Sequence, residues 1–189
     1  MTYSFIKNYK SILIISALYV VAQLVVFFAF GVGQCSIQTD SVSYMKCAET
    51  ISDGSFFEKG ASFFRTPGYP LLILLFQSIG QHWIGALMAF QIILSGMALF
   101  VLWRIIYDLT QRRKLANLGA ILLIFHLNQP FLNMLMMTEA LFIPMLVLAF
   151  YYFNRWHETK EKKSWLIFAL IINLALWVRP VLLILVVLL

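Results

Sequence analysis

Long uncharged runs alternate with compact charged clusters, and this alternation sets the first division of the chain. Residues 11–30 carry no charge. At about 1.5 Å of rise per helical residue they reach about 30 Å, one hydrocarbon core. A first membrane helix is therefore predicted over 11–31. A cleaved signal peptide has a shorter apolar stretch, about 7–15 residues. Val32-Gly33-Gln34-Cys35 is also a poor lipoprotein signal, because Gln34 stands directly before the cysteine. The first helix is accordingly read as uncleaved. No residue between Arg65 and Arg104 is charged. Residues 66–80 would span only about 21 Å as helix, short of a full crossing. Ser78, Gly80, Gln81 and His82 then interrupt the apolar run. This pattern predicts a half-membrane helix over 67–79 and a second span over 83–107.

The basic clusters orient the path, since short cytosolic loops collect Lys and Arg. Arg112, Arg113 and Lys114 form one cluster; Arg155, Lys160, Lys162 and Lys163 form another. With both inside, and with Lys7 and Lys10 holding the N-terminus in the cytoplasm, residues 32–66 become an outer loop. Residues 115–154 must then cross twice, giving a third span over 115–128 and a fourth over 137–154. Asn128-Gln129-Pro130 supplies the turn signal between them. A cytosolic loop over 155–164 leads to a fifth span over 165–179, and 180–189 starts a further segment. Lys46, Lys59, Arg65 and Arg179 are the basic residues left outside. The chain ends inside the apolar run Val-Leu-Leu-Ile-Leu-Val-Val-Leu-Leu. It is therefore expected to be the N-terminal part of a longer protein or a truncated copy.

Composition agrees with a lipid environment. The chain is 62% hydrophobic and 12% charged, with a mean hydropathy of +0.88, whereas soluble domains carry about 25% charged residues. Too few polar side chains are available to coat a globule, so an all-α integral membrane protein is predicted. The short loops favour a bacterial inner membrane. The net charge of +6 does not point to nucleic acid, because the basic residues sit in clusters between spans.

Candidate chemistry concentrates on the outer side. The three histidines, at 82, 126 and 157, have no metal-site spacing, and neither a glycine-rich phosphate loop nor a serine nucleophile elbow occurs. Cys35 and Cys47 both fall in the outer loop, where a disulfide and two thiols are equally open readings. Asp40 suits a helix N-cap or a general base. A helix starting there places Tyr44 and Cys47 on one face. Arg65, before Thr-Pro-Gly-Tyr-Pro, suits an interfacial anchor or a phosphate clamp. Pro67 and Pro70 suit a first helical turn. Glu139 after Thr138 reads as a capped helix start. Arg179 lies in an apolar helix and needs a partner such as Glu139, Asp40 or an anionic ligand. By parity Asp40, Arg65, Glu139 and Arg179 belong to one side of the membrane.

The run from Thr39-Asp40-Ser41 through Tyr44 and Ala48 to Arg65-Thr66-Pro67-Gly68-Tyr69-Pro70 resembles polytopic glycosyltransferases of the GT-C class. The similarity is to the glycosyltransferase family 39-like group, relatives of protein mannosyltransferases and aminoarabinose transferases. Thr138-Glu139-Ala140-Leu141 and Arg179-Pro180 match two later markers in order. The resemblance implies GT-C-like transmembrane helices and a non-cytoplasmic first loop containing short juxtamembrane helices. It also implies sugar transfer from a polyprenyl- or dolichyl-phosphate carrier to a lipid, glycan or protein acceptor at the periplasmic or lumenal face. Asp40 would be catalytic, as base or acceptor-orienting group, and Tyr44, Arg65, Tyr69, Glu139 and Arg179 would form the substrate-binding set. Within it, Arg65 and Arg179 would face the leaving phosphate, and Glu139 would hold Arg179. No cofactor is firmly implied, and a divalent cation bridging Asp40 and the phosphate stays open, although no cluster of ligands marks a site for it. Related enzymes have about a dozen helices, so the chain taken alone is read as either the front part of such an enzyme or an inactive copy. The alternative is a non-enzymatic membrane protein, such as a transporter subunit for a lipid-linked glycan.

Overall fold

Helix α1 (Tyr9–Gln34) is apolar on every face and contains no proline, so nothing in its sequence interrupts the backbone ladder. The computed structural model describes residues 9–34, 39–56, 65–125 and 129–181. After α1 come α2 (Thr39–Ser52), α3 (Gly68–Gln77), α4 (Trp83–Thr110) and α5 (Arg113–Phe125). A single turn, α6 (Gln129–Leu132), precedes α7 (Thr138–Thr159) and α8 (Lys162–Val178). No strand occurs among the described residues.

Two helices, α1 over Ser11–Phe30 and α4, are long and apolar enough to cross a membrane. Most of α1 faces outward, and Leu13, Val21, Val25 and Phe28 are exposed along it. In water such a stripe would be a large uncovered apolar patch. Together with the helical fold, it makes the chain an all-α membrane protein.

Charged residues mark the edge of the apolar region better than the end of a helix. α4 continues past Tyr107 to Thr110, and α7 continues past Asn154 to Thr159. The expected cytosolic loop over 155–164 is therefore mostly helix. Only residues 160 and 161 separate α7 from α8, which starts at Lys162 and not at 165. Backbone capping ends these helices. Gln111 (φ 54°) and Lys160 (φ 56°) are left-handed, and their N–H groups bond Tyr107 O and Trp156 O, each at 2.7 Å. Arg155, His157 and Glu158 are tolerated in the last turns because their side chains reach water there. Of the expected turn Asn128-Gln129-Pro130, residue 128 lies outside the described residues, as does 182–189 of the expected next segment; Gln129 and Pro130 open α6.

α7 and α8 form an antiparallel hairpin, and α4 packs against both α5 and α7. One apolar cluster joins Tyr44, Tyr69, Ile73, Leu87, Met136, Phe142, Ala175 and Val178. A second joins Ile15, Tyr19, Leu99, Trp103, Ala116 and Ile124 around α1, α4 and α5. The first cluster is the floor on which the polar site rests.

Thr66-Pro67-Gly68 shows why its residue types are needed. Thr66 Oγ1 donates to Val178 O at 2.8 Å, hooking the segment to the end of α8. Pro67 is the N-cap of α3, with φ −73°. A Cβ on Gly68 would lie 2.5 Å from Trp177 O and 2.8 Å from Val178 N. Both are backbone atoms, so the clash cannot be relieved by turning a side chain. Gly68→Ala is expected to destabilise the fold by about 1–3 kcal/mol through overpacking. Thermal unfolding in detergent should show the lowered melting temperature.

Candidate active site

Six side chains from four segments form one continuous polar chain at one end of the bundle. It begins at Asp40, the second residue of α2. Asp40 lies within the first turn and is not the helix cap; a carboxylate there gains from the helix dipole. Arg65 Nη2 contacts Asp40 Oδ1 at 2.5 Å. Arg65 Nη1 donates to Tyr44 Oη at 3.1 Å, and its guanidinium carbon lies 4.5 Å from the centre of the Tyr44 ring. Tyr44 Oη is 3.3 Å from Thr138 Oγ1. Thr138 Oγ1 in turn donates to Glu139 Oε2 at 3.1 Å. Glu139 Oε1 then meets Arg179 Nη1 at 2.8 Å.

The proton directions follow from the inventory of each group. Thr138 has one hydroxyl proton, and it serves Glu139, so Tyr44 must donate to Thr138. Tyr44 in turn accepts from Arg65. The bonds thus run in one sense from Arg65 to Glu139, an arrangement in which each polarises the next. Carboxylate and guanidinium alternate along the chain, and each charge has a neighbour of opposite sign.

The ends of the chain are open while its middle is covered. The Asp40 side chain is 50% exposed and that of Arg179 40%, against 28% for Arg65 and 25% for Glu139. Tyr44 is buried, and Tyr69 is completely so, with its ring edge-on to Tyr44 at 5.2 Å. Tyr69 Oη donates to Gln91 Oε1 at 2.7 Å. Of the six residues predicted for the site, Asp40, Arg65, Glu139 and Arg179 therefore reach its surface. Tyr44 links them from below, and Tyr69 supports Tyr44 from within the core.

The expectation of a side-chain cap ahead of Glu139 is not met: Met137 is the N-cap of α7, and no side chain caps it. The Thr138 hydroxyl joins Tyr44 to Glu139 and so stays away from the helix N–H groups. Cys47 is a buried free thiol, and its disulfide partner in the sequence reading, Cys35, lies outside the described residues. Burial pushes the Cys47 thiol up, against a smaller opposing effect of the Arg65 charge. No group of three or more His, Cys, Asp and Glu side chains that could hold a metal ion occurs among the described residues.

Gln91 escaped the sequence reading and fixes both arms of the site. It is wholly buried in α4. Its Nε2 donates to Asn133 O at 2.9 Å and to Leu135 O at 3.0 Å, while its Oε1 accepts from Tyr69. It thereby holds the turn that leads into Thr138 and Glu139, and also the tyrosine beneath Tyr44. Asn133 Nδ2 extends the network to Tyr19 Oη at 3.2 Å. A lone Gln in an otherwise apolar helix, with Ser95 one turn on, was the available signal. Gln91→Leu removes the acceptor of the Tyr69 hydroxyl proton and the donor to two backbone carbonyls, at about 1–3 kcal/mol for each buried group. A lower melting temperature is expected, and Gln91→Glu should not rescue it, because a carboxylate buried against the Asn133 and Leu135 carbonyls puts a charged acceptor where a donor is needed.

The sequence pattern of dolichyl-phosphate-mannose-protein mannosyltransferases matches residues 65–189, about two thirds of the chain. The match begins at Arg65 and includes Tyr69, Thr138, Glu139 and Arg179; Asp40 and Tyr44 precede it. No curated protein and no solved structure matches the chain.

Proposed function

Since the chain belongs to the dolichyl-phosphate-mannose-protein mannosyltransferase family and is a glycosyltransferase of the GT-C type, we propose that it transfers a sugar from a polyprenyl- or dolichyl-phosphate carrier at the non-cytoplasmic membrane face. The observation that carries this reading is the Asp40–Arg65–Tyr44–Thr138–Glu139–Arg179 chain, which puts a half-exposed carboxylate and two guanidinium groups at one end of the bundle. A lipid-linked donor and a membrane context accompany the family.

The chemistry needs both kinds of group. The acceptor hydroxyl loses its proton to Asp40 as its oxygen attacks the anomeric carbon. The bond from that carbon to the carrier phosphate breaks, and the phosphate leaves with the bonding electron pair. Attack opposite the leaving group inverts the anomeric centre. Charge grows on the phosphate as it leaves, so fixed cations stabilise the transition state more than the bound donor. Arg65 and Arg179 are the cations for that role, and Glu139 sets the position of Arg179. Arg65 contacts only Oδ1 of Asp40, so Oδ2 is left to receive the proton.

Polyprenyl monophosphate, the leaving group, should raise the melting temperature of the purified protein, and polyprenol without phosphate should not. Equal shifts from the two lipids would remove the phosphate clamp from the reading. The membrane face is tested with Asp53→Cys and Lys162→Cys, each in a protein without Cys35 and Cys47. An impermeant thiol reagent applied outside intact cells should label position 53 and spare position 162. The opposite pattern would place the site on the cytoplasmic side.

A further inference from the structure

A second polar pocket, of about 430 Å³, opens at the other end of the bundle. It lies between the last turns of α4 and α7 and the connection to α8. Sixteen residues of α7 separate Glu139 from Arg155 in its wall, about 24 Å along the helix. The pocket therefore has no part in the Asp40 chain.

Its polar groups sort into donors and acceptors. Asn154 Nδ2 is buried and has no hydrogen-bond partner, although a buried donor normally finds one. Arg155 reaches Glu161 only at 3.5 Å, the outer limit of a hydrogen bond. Arg104 engages Asp108 through Nε at 2.6 Å, leaving the two outer nitrogens of its fork. These three side chains offer donors to one anionic group. Asp108, Glu158 and Glu161 line the same pocket as acceptors, so a plain anion would meet repulsion as well as attraction. The complementary ligand carries a phosphate and an ammonium group a few bonds apart. Ile105, Leu109 and Tyr151 supply an apolar wall beside them. The pocket also sits where α4 and α7 pass from apolar to charged sequence, the level of lipid headgroups.

We propose that this pocket is a binding site for the headgroup of a phosphoethanolamine lipid. Its phosphate lies toward Arg104, Asn154 and Arg155, and its ammonium toward Asp108 and Glu158. The volume suits a headgroup, since small-ligand pockets run from about 300 to 1,000 Å³. Ethanolamine is favoured over choline because only the former has N–H groups to donate to a carboxylate.

The test uses the full chain in bilayer discs containing equal amounts of ethanolamine, choline and glycerol phospholipids. The protein is then diluted into detergent, and the lipids still bound are counted by native mass spectrometry. Ethanolamine lipid should be enriched about tenfold over the other two, the equivalent of one charge-assisted hydrogen bond. Asn154→Leu and Arg155→Gln should lower the retention of all three lipids, because the phosphate they face is common to them. The exposed Glu158→Gln should make ethanolamine and glycerol lipids equal without altering the melting temperature, so a folding failure at Asn154 does not blunt the test. Soluble phosphoethanolamine at millimolar concentration should leave the lipid bound. Equal retention of all three lipids, a preference for the glycerol lipid, an unaltered ratio in Glu158→Gln, or displacement by the soluble compound would each overturn the assignment.

Discussion

Asp40→Asn is expected to lower kcat for sugar transfer by about two to four orders of magnitude, the usual contribution of a positioned general base. The substitution keeps the shape of the side chain and an oxygen to accept from Arg65, so the Asp40–Arg65 contact survives in weakened form. What it removes is the capacity to take a proton. An ion pair as exposed as this one contributes about 1 kcal/mol or less to stability. The melting temperature should therefore stay close to that of the unaltered protein. Initial rates of labelled-sugar transfer in membranes carrying each variant separate the two effects. Turnover by Asp40→Asn at the unaltered rate would take Asp40 out of the proton-transfer role and leave it as a partner of Arg65.

Arg65→Ala should be the next most damaging change, costing about two to three orders of magnitude in kcat, as removal of one transition-state charge contact commonly does. Arg65 also has structural contacts: Asp40 at 2.5 Å, the Tyr44 hydroxyl at 3.1 Å and the face of the Tyr44 ring at 4.5 Å. Lys has a single charged point on a flexible stem and cannot make a forked, stacked set of contacts at once. Arg65→Lys should thus recover only part of the loss, even though the charge is restored. The expected order is Arg above Lys above Ala in kcat, with a smaller effect on KM, because the phosphate charge grows during the reaction. Equal activity of Lys and Arg would show that charge alone suffices and that the Tyr44 stack is incidental.

How much could be read before the structure differs between the parts. Charge is sparse in this chain, so the four groups at 40, 65, 139 and 179 stood out. Counting crossings between basic clusters assigned them to one side, and they are now seen joined through Tyr44 and Thr138. The joints themselves were not legible. Whether Thr138 turns its hydroxyl to its own helix or to Tyr44 depends on how α2 packs against the start of α7, which no local pattern encodes. Tyr69 reads in the sequence as a substrate contact because it lies in the motif with Arg65. Its burial comes from the close seating of Gly68 on the end of α8, a tertiary contact. Helix ends are not legible where charged residues begin, as at 154 and 165, because charge reports the edge of the apolar region while a helix continues until its backbone is capped. The role of Gln91 is not legible because a single amide in an apolar run has no partner in sequence; its partners are a tyrosine of α3 and carbonyls near α7.

The central claim is that the sugar arrives on a lipid phosphate, and the donor decides it. The purified protein in bilayers, with a mixed acceptor pool extracted from membranes, would be offered the same labelled sugar in two forms. One form is carried on polyprenyl phosphate, the other on a nucleoside diphosphate. The account predicts transfer from the polyprenyl-phosphate donor with release of polyprenyl monophosphate, and none from the nucleotide donor. Transfer from the nucleotide sugar, with the lipid-linked sugar left intact, would contradict it.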